Sequence, residues 1–324
     1  MADTLALAQA NLLSPVVLFF ALGLLAALAR SDLSMPEAFA KGLSLFLMLA
    51  IGFKGGAAVA THGLSWQIGL TAAAGVAFSF LMPFLAYGLL RLTSRLDGVT
   101  AAAVAAHYGS VSLVTFVAAG AMLETAGIAS DGAMVAVLAV METPAILAGL
   151  WLARRHGARG KAGWAHEVFL NGAVVLLMGA FVIGLVTGER GMSAIAPFVV
   201  APFQGVLCLF MLEMGLVAGR RLAAGGTAMT GGLAAFAIAM PLIGAACGWG
   251  AAALIGLGTG DALLFIALTA SASYIAVPAA MRMALPQADP AVYLTLSLAI
   301  TFPFNLTLGL PLYLVLAGLA SGGA

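Results

Sequence analysis

Charge is scarce in this chain. Of 324 residues, 13 are Lys or Arg and 12 are Asp or Glu, together 8%, about a third of what a soluble domain carries. No water-facing surface of ordinary size can be built from so few, and no basic patch for nucleic acid is present. Cysteine is nearly missing too. Cys208 and Cys247 each stand inside an apolar stretch, which excludes a disulfide framework and a thiolate metal site. No G-x-x-x-x-G-K-[ST] run occurs, so ATP is not a direct drive in cis. Ser110 and His107 lie three positions apart, but no G-x-S-x-G elbow accompanies them, which sets an intramembrane hydrolase aside. No cofactor motif is found.

What abounds is apolar surface: 63% of residues are hydrophobic and the mean hydropathy is +1.14. Runs of about 20 apolar residues recur along the whole length, which predicts a polytopic α-helical membrane protein. Ten spans are expected, at 12–30, 42–60, 66–90, 100–121 and 132–153, then at 168–187, 197–219, 229–256, 262–282 and 291–318. The first is not read as a signal peptide, because residues 1–11 hold no basic group and only Asp3 as a charge.

The two sets of five resemble each other. Gly109-Ser110-Val111-Ser112 in span four matches Ala270-Ser271-Ala272-Ser273 in span nine, 161 positions on (271 − 110). Ile51-Gly52-x-x-x-Gly56 is aligned with Met214-Gly215-x-x-x-Gly219, Met82-Pro83 with Met240-Pro241, Asp131 with Asp289, Pro144 with Pro303, and Gly23 with Gly184. Five spans per half is an odd number, so the halves must insert oppositely. The expected architecture is a 5+5 inverted repeat, with 1–153 as the first half, 154–167 as a cytoplasmic basic linker and 168–324 as the second half. Arg30, Lys41, Arg91, Arg95, Arg154, Arg155, Arg159, Lys161, Arg220, Arg221 and Arg282 all fall on one side, which places that side in the cytoplasm and both termini outside. The linker is also placed to contact anionic lipid.

The Ser-x-Ser steps predict that helices four and nine are broken near mid-membrane. A break exposes main-chain N–H and C=O groups that lipid cannot satisfy, so a dissolved ion is the natural occupant. Gly109, Ser110, Val111 and Ser112, facing Ser271, Ala272, Ser273 and Tyr274, are the expected substrate site; packing of the serines against neighbouring turns is the alternative. Glu142, in Met-Glu-Thr-Pro, is a carboxylate that is costly in mid-membrane unless it binds a cation, pairs or is protonated. With Thr115, Thr143, Thr301 and Asn305 it is the expected site of a coupling ion, and Na⁺ is the only metal expected. Lys54 and Glu213, beside the twin glycine stretches, are expected to pair or each to reach an interface. His107 is read as a polar residue at a helix crossing or a proton-sensitive gate. Glu124 and Asp131 are read as solvated residues flanking a turn.

The stretches Met35-Pro36-Glu37, Ile51-Gly52-Phe53-Lys54-Gly55-Gly56, Gly109-Ser110-Val111-Ser112 with Thr115, Met141-Glu142-Thr143-Pro144-Ala145, Ser271-Ala272-Ser273 with Pro278 and Arg282, and Pro286 to Tyr293 together resemble the sodium-dependent bicarbonate transporter family of cyanobacterial type. The resemblance implies a core domain moving against a gate domain, a homotrimer in the bacterial inner membrane, and bicarbonate held between breaks four and nine with Na⁺ nearby. The family's cyanobacterial members carry an acidic residue at the position of Tyr274, aspartate in place of Glu142, and a long insertion between the halves. The short linker here weakens the case for a PII-like regulator. Na⁺-coupled bicarbonate symport is thus the expected function. Proton coupling, or an uncoupled carrier or channel for another small anion, is the alternative.

Overall fold

The computed structural model describes residues 12–63, 65–157, 172–223 and 230–321. Most of the basic linker, including Arg159 and Lys161, and residues 1–11 lie outside the described residues. The described chain is helical, with no strand among the described residues. We number the helices α1 (Pro15–Leu28), α2 (Glu37–His62), α3 (Trp66–Thr93), α4 (Gly98–Gly109), α5 (Leu113–Ala126), α6 (Met134–Arg154), α7 (Gly172–Val199), α8 (Phe203–Ala223), α9 (Gly231–Ile255), α10 (Thr259–Thr269), α11 (Ala276–Ala284) and α12 (Pro290–Ala320). Counting α4 with α5 as one crossing, seven are long and apolar enough to span a bilayer. Large apolar side chains such as Leu25, Leu81, Val186 and Leu254 point outward, as lipid-facing residues must. The chain is a multi-pass membrane protein.

Short polar residues set the helix starts. Ser14 accepts from Val17 N, Ser65 from Ile68 N and Asp97 from both Val99 N and Thr100 N, each satisfying amides that the first turn leaves unpaired. Asp289 caps α12, accepting from Ala291 N at 2.8 Å, and Asp131, aligned with it in the sequence, accepts from Ala133 N at 2.8 Å in the turn that leads into α6. Asp131 is thus a half-buried turn residue whose carboxylate is tied to that turn. The sixth span was expected to end at 187. Instead α7 kinks at Gly188 (φ 56°, ψ −143°), a conformation that needs glycine, and continues to Val199.

The helices form two groups. In the first, α2 lies along α7, and α8 lies along α1. A Cβ at Gly56 would stand 1.9 Å from the Phe181 carbonyl oxygen, and one at Gly184 would stand 2.2 Å from that of Phe53. The other pair repeats this: a Cβ at Gly215 would meet Phe20 O at 2.1 Å, and one at Gly23 would meet Leu212 O at 2.1 Å. Backbone thus rests on backbone, as small residues permit in a membrane. The packing also corrects the alignment of the glycine stretches. Gly56 corresponds to Gly215 rather than to Gly219, an offset of 159 (215 − 56), one helical turn away from the register of the twin Gly-x-x-x-Gly reading. That register makes Lys54 and Glu213 counterparts, one on α2 and one on α8. Gly56→Ala is expected to destabilise the purified protein by ~1–3 kcal/mol through overpacking, read as a lower melting temperature in detergent. Gly69→Ala, with open space around its Cβ, should be neutral.

The second group holds α3 to α6 and α9 to α12. Gly149 of α6 seats against Ala106 of α4, Gly109 against Pro83 of α3, and Gly244 of α9 against Thr269 of α10. Pro144 removes an amide from α6, and Ser79 of α3 inserts there: its Oγ donates to Met141 O (2.6 Å) and accepts from Ala145 N (3.2 Å). The helix α12 contains two π-helical runs, Thr295–Thr301 and Asn305–Gly309, a helix irregularity that is common at functional sites.

Candidate functional site

The chain opens where the Ser-x-Ser steps predict. The residues joining α4 to α5 are extended, with Ser110 at φ −87°, ψ 178° and Ser112 at φ −106°, ψ 109°. Those joining α10 to α11 are likewise non-helical over 271–275. The two openings touch. Ser112 N donates to Ser271 Oγ at 2.8 Å, Ser273 N donates to His107 O at 2.8 Å, and Ser112 Oγ donates to Tyr274 OH at 3.2 Å. Each break supplies the acceptor for an amide of the other. All four serines are buried, at 1–4% exposure, in a place that neither lipid nor bulk water reaches.

Two half-helix N-termini, those of α5 and α11, start at this crossing. The first amides of a helix have no acceptor within it, and the helix dipole puts partial positive charge there. Part of that potential is already used: Ser112 Oγ accepts from Thr115 N (3.1 Å) and Thr115 Oγ1 (3.0 Å), and Ser273 Oγ accepts from Val277 N (3.4 Å). The remainder faces a small cavity lined by Met48, Val111, Ser112, Leu113, Glu142, Ser273, Tyr274, Ile275 and Ala276. Its ≈ 10 Å³ of room is about what a single water centre needs. Glu142 is the lone ionisable carboxyl on its wall. It is 8% exposed, and Ser110 Oγ donates to its Oε2 at 3.0 Å. A carboxylate, two positive helix ends and room for one small species therefore share one buried point. Met48, from α2, closes the cavity from the other helical group.

Of the expected substrate residues, Val111, Ser112, Ser273 and Tyr274 line the cavity, and Ser110 holds Glu142. Ser271 stitches the breaks together, donating to Leu268 O (2.9 Å) while accepting from Ser112 N. Gly109 packs on Pro83 and Ser79, and Ala272 is buried. The expected ion ligands separate. Glu142 is at the cavity, but Thr115, Thr143, Thr301 and Asn305 do not line it. Thr301 Oγ1 is shared between Tyr108 OH (2.7 Å) and Ala237 O (2.6 Å). Asn305 Nδ2 donates to Ala270 O (2.9 Å), and its Oδ1 accepts from Tyr313 OH (2.7 Å). Both serve as struts of the broken segments. Lys54 and Glu213 do not pair. Lys54 Nζ lies 5.1 Å over the Phe203 ring, and Glu213 Oε2 is buried with no hydrogen-bond partner. As counterparts on α2 and α8, they are placed by the fold at separate sites. His107 donates from Nδ1 to Ala103 O (2.6 Å) and stacks on Tyr293 at 4.4 Å. It forms no nucleophile–base pair with Ser110.

Met48, Ser79 and Tyr108 were not foreseen. Pro144 signals that α6 needs an outside partner, but only the packing shows that Ser79 is that partner.

Among the described residues, no group of three or more His, Cys, Asp or Glu is placed to hold a metal. Any cation here would meet one carboxylate and hydroxyls, an oxygen-only set that suits a hard cation. No curated protein matches the chain. A family model described as the Na⁺-dependent bicarbonate transporter superfamily matches residues 15–318.

Proposed function

Since the chain belongs to the Na⁺-dependent bicarbonate transporter superfamily, we propose that it is a Na⁺-coupled symporter of bicarbonate, built as ten crossings in a 5+5 inverted repeat. That superfamily is one of transporters, not enzymes. The repeat is supported by the twin glycine packing of α2 on α7 and α8 on α1 and by the reciprocal hydrogen bonds of the breaks. In this reading the α1, α2, α7 and α8 group is the gate and the remainder is the core. The eleven basic residues named above lie on the cytoplasmic side of the inner membrane, and both termini lie outside.

The observation that carries the coupling is Glu142 beside two helix N-termini. A monoanion drawn to those amides would sit next to the Glu142 carboxylate. Two unit charges about 4 Å apart repel by ~4 kcal/mol at an effective dielectric of 20. One monovalent cation at Glu142 removes that repulsion, so anion and cation bind together or poorly alone. Na⁺ is the cation of the family's description; a proton on Glu142 is the alternative, and Tyr274, which adds a hydroxyl rather than a charge, keeps it open. The cavity is too small for a polyatomic anion, so loading requires Met48 and the core to move apart. Uptake of radiolabelled bicarbonate into proteoliposomes, with Na⁺ and pH gradients imposed separately, tests this. Stimulation by an inward Na⁺ gradient at equal pH is expected. Stimulation by pH alone would replace Na⁺ with the proton, and flux indifferent to both would make the protein a facilitator.

A further inference from the structure

The residues of the breaks explain where an anion would rest but not how it reaches a site walled by apolar side chains and one carboxylate. The answer lies along one face of α2. Met48 closes the break cavity; Ile51, Lys54, Gly55 and Ala58 line a second cavity of ≈ 570 Å³ between α2 and α8 on one side and α5 and α6 on the other. These positions follow one another at helical spacing of three and four, so one stripe of α2 runs from the break to the crevice. Lys54 lies six residues past Met48, about 9 Å along the axis.

We propose that Lys54 is the capture residue for the transported anion, taking a small monoanion from the crevice and passing it to the N-termini of α5 and α11. The idea rests on the reading of the protein as an anion transporter and adds a second binding position to it. Three observations support the assignment. Lys54 is the crevice's one cationic side chain among the described residues. The crevice does contain carboxylates, Glu124 and Asp131, yet neither is bonded to Lys54; Asp131 accepts instead from Ala133 N in the turn before α6. The ammonium is held instead by the face of Phe203 at 5.1 Å. A ring face holds a cation weakly, by ~0.5–2 kcal/mol, and leaves the charge free to be exchanged for an anion. A carboxylate partner would compete with the substrate directly.

The repeat adds a further point. The counterpart of Lys54 on α8 is Glu213, so the position that attracts an anion in one half carries a like charge in the other. An anion collected at Lys54 meets no equivalent trap at Glu213.

The test is a concentration series of labelled bicarbonate in proteoliposomes at saturating Na⁺, comparing wild type, Lys54→Met and Lys54→Arg. Lys54→Met is expected to raise KM at least about tenfold, equivalent to 1.4 kcal/mol, with Vmax within about twofold. Retained Vmax also certifies folding. Lys54→Arg keeps the charge and should stay within about threefold of wild-type KM. An unchanged KM in Lys54→Met overturns the proposal. A parallel arm needs no transport: purified protein is treated with an amine-reactive reagent with or without formate, nitrate or bicarbonate, and labelling of Lys54 is read by peptide mass spectrometry against Lys41. Anion-dependent protection of Lys54 supports capture. Protection without bicarbonate uptake would keep the capture site while removing bicarbonate symport, and no protection by any of the three anions removes the capture site.

Discussion

Glu142→Gln is expected to disconnect anion uptake from the cation gradient. Glutamine keeps the shape and an oxygen to accept from Ser110 Oγ, which now donates to Oε2 at 3.0 Å, so the local packing should survive. The negative charge does not. With it goes the reason for a cation to bind, and also the repulsion of ~4 kcal/mol that makes an anion wait for one. Two changes follow together. Anion affinity measured without Na⁺ should rise at least about tenfold, since 1.4 kcal/mol is a factor of ten and a fraction of the repulsion suffices. Concentrative uptake should collapse to downhill flux. A proton-coupled mechanism predicts the same loss against a pH gradient, because glutamine imitates a permanently protonated carboxyl. A Glu142→Gln protein with wild-type Na⁺ and pH dependence would move the coupling site elsewhere.

The double variant Ser110→Ala with Ser271→Ala is expected to abolish uptake while the protein still reaches the membrane. Ser271 Oγ is the acceptor for Ser112 N at 2.8 Å. Removing it leaves a buried amide unpaired, at a cost of ~1–3 kcal/mol. Removing the Ser110 hydroxyl takes away the one hydrogen-bond donor on Glu142 among the described residues, a bond to a charged group worth ~1.5–3 kcal/mol. The two serines are linked through the same short segment, so their effects need not add. Even one such loss at its upper end, ~3 kcal/mol, lowers the competent arrangement about a hundredfold, and loss of about a hundredfold in initial rate is expected. Thr125→Ala, whose hydroxyl bonds only to Ala121 O at an exposed site, should transport normally. Full uptake by the double serine variant would sink the site assignment.

Much of this was legible in the sequence for one reason: a membrane makes polar side chains conspicuous. Ser110, Ser112, Ser271 and Ser273 stand out from apolar surroundings, and their identical spacing locates both breaks within a few residues. Glu142 is visible on the same ground. Partners were not legible. Thr301 and Asn305 have the right chemistry for a cation, but whether a hydroxyl or amide is free depends on what stands opposite. Tyr108 with Ala237 takes one, and Ala270 with Tyr313 the other. The glycine register failed by one turn because Gly-x-x-x-Gly repeats with the helix itself; contacts with Phe20 and Phe181 were needed to choose between two alignments with similar residues. For Lys54 and Glu213 the sequence left two outcomes, a pair or separate interfaces, and only the packing, with Lys54 over Phe203, chooses separation.

The reciprocal bonds between the breaks bear on motion. Ser112 N to Ser271 Oγ and Ser273 N to His107 O bind each interrupted segment to the other through buried main-chain donors. Prying them apart would strip two amides of their acceptors at once, whereas sliding both past Met48 leaves every such bond intact. On the symporter reading proposed above, the cargo travels in a single cassette. On that reading, neither break releases its share of the load without the other.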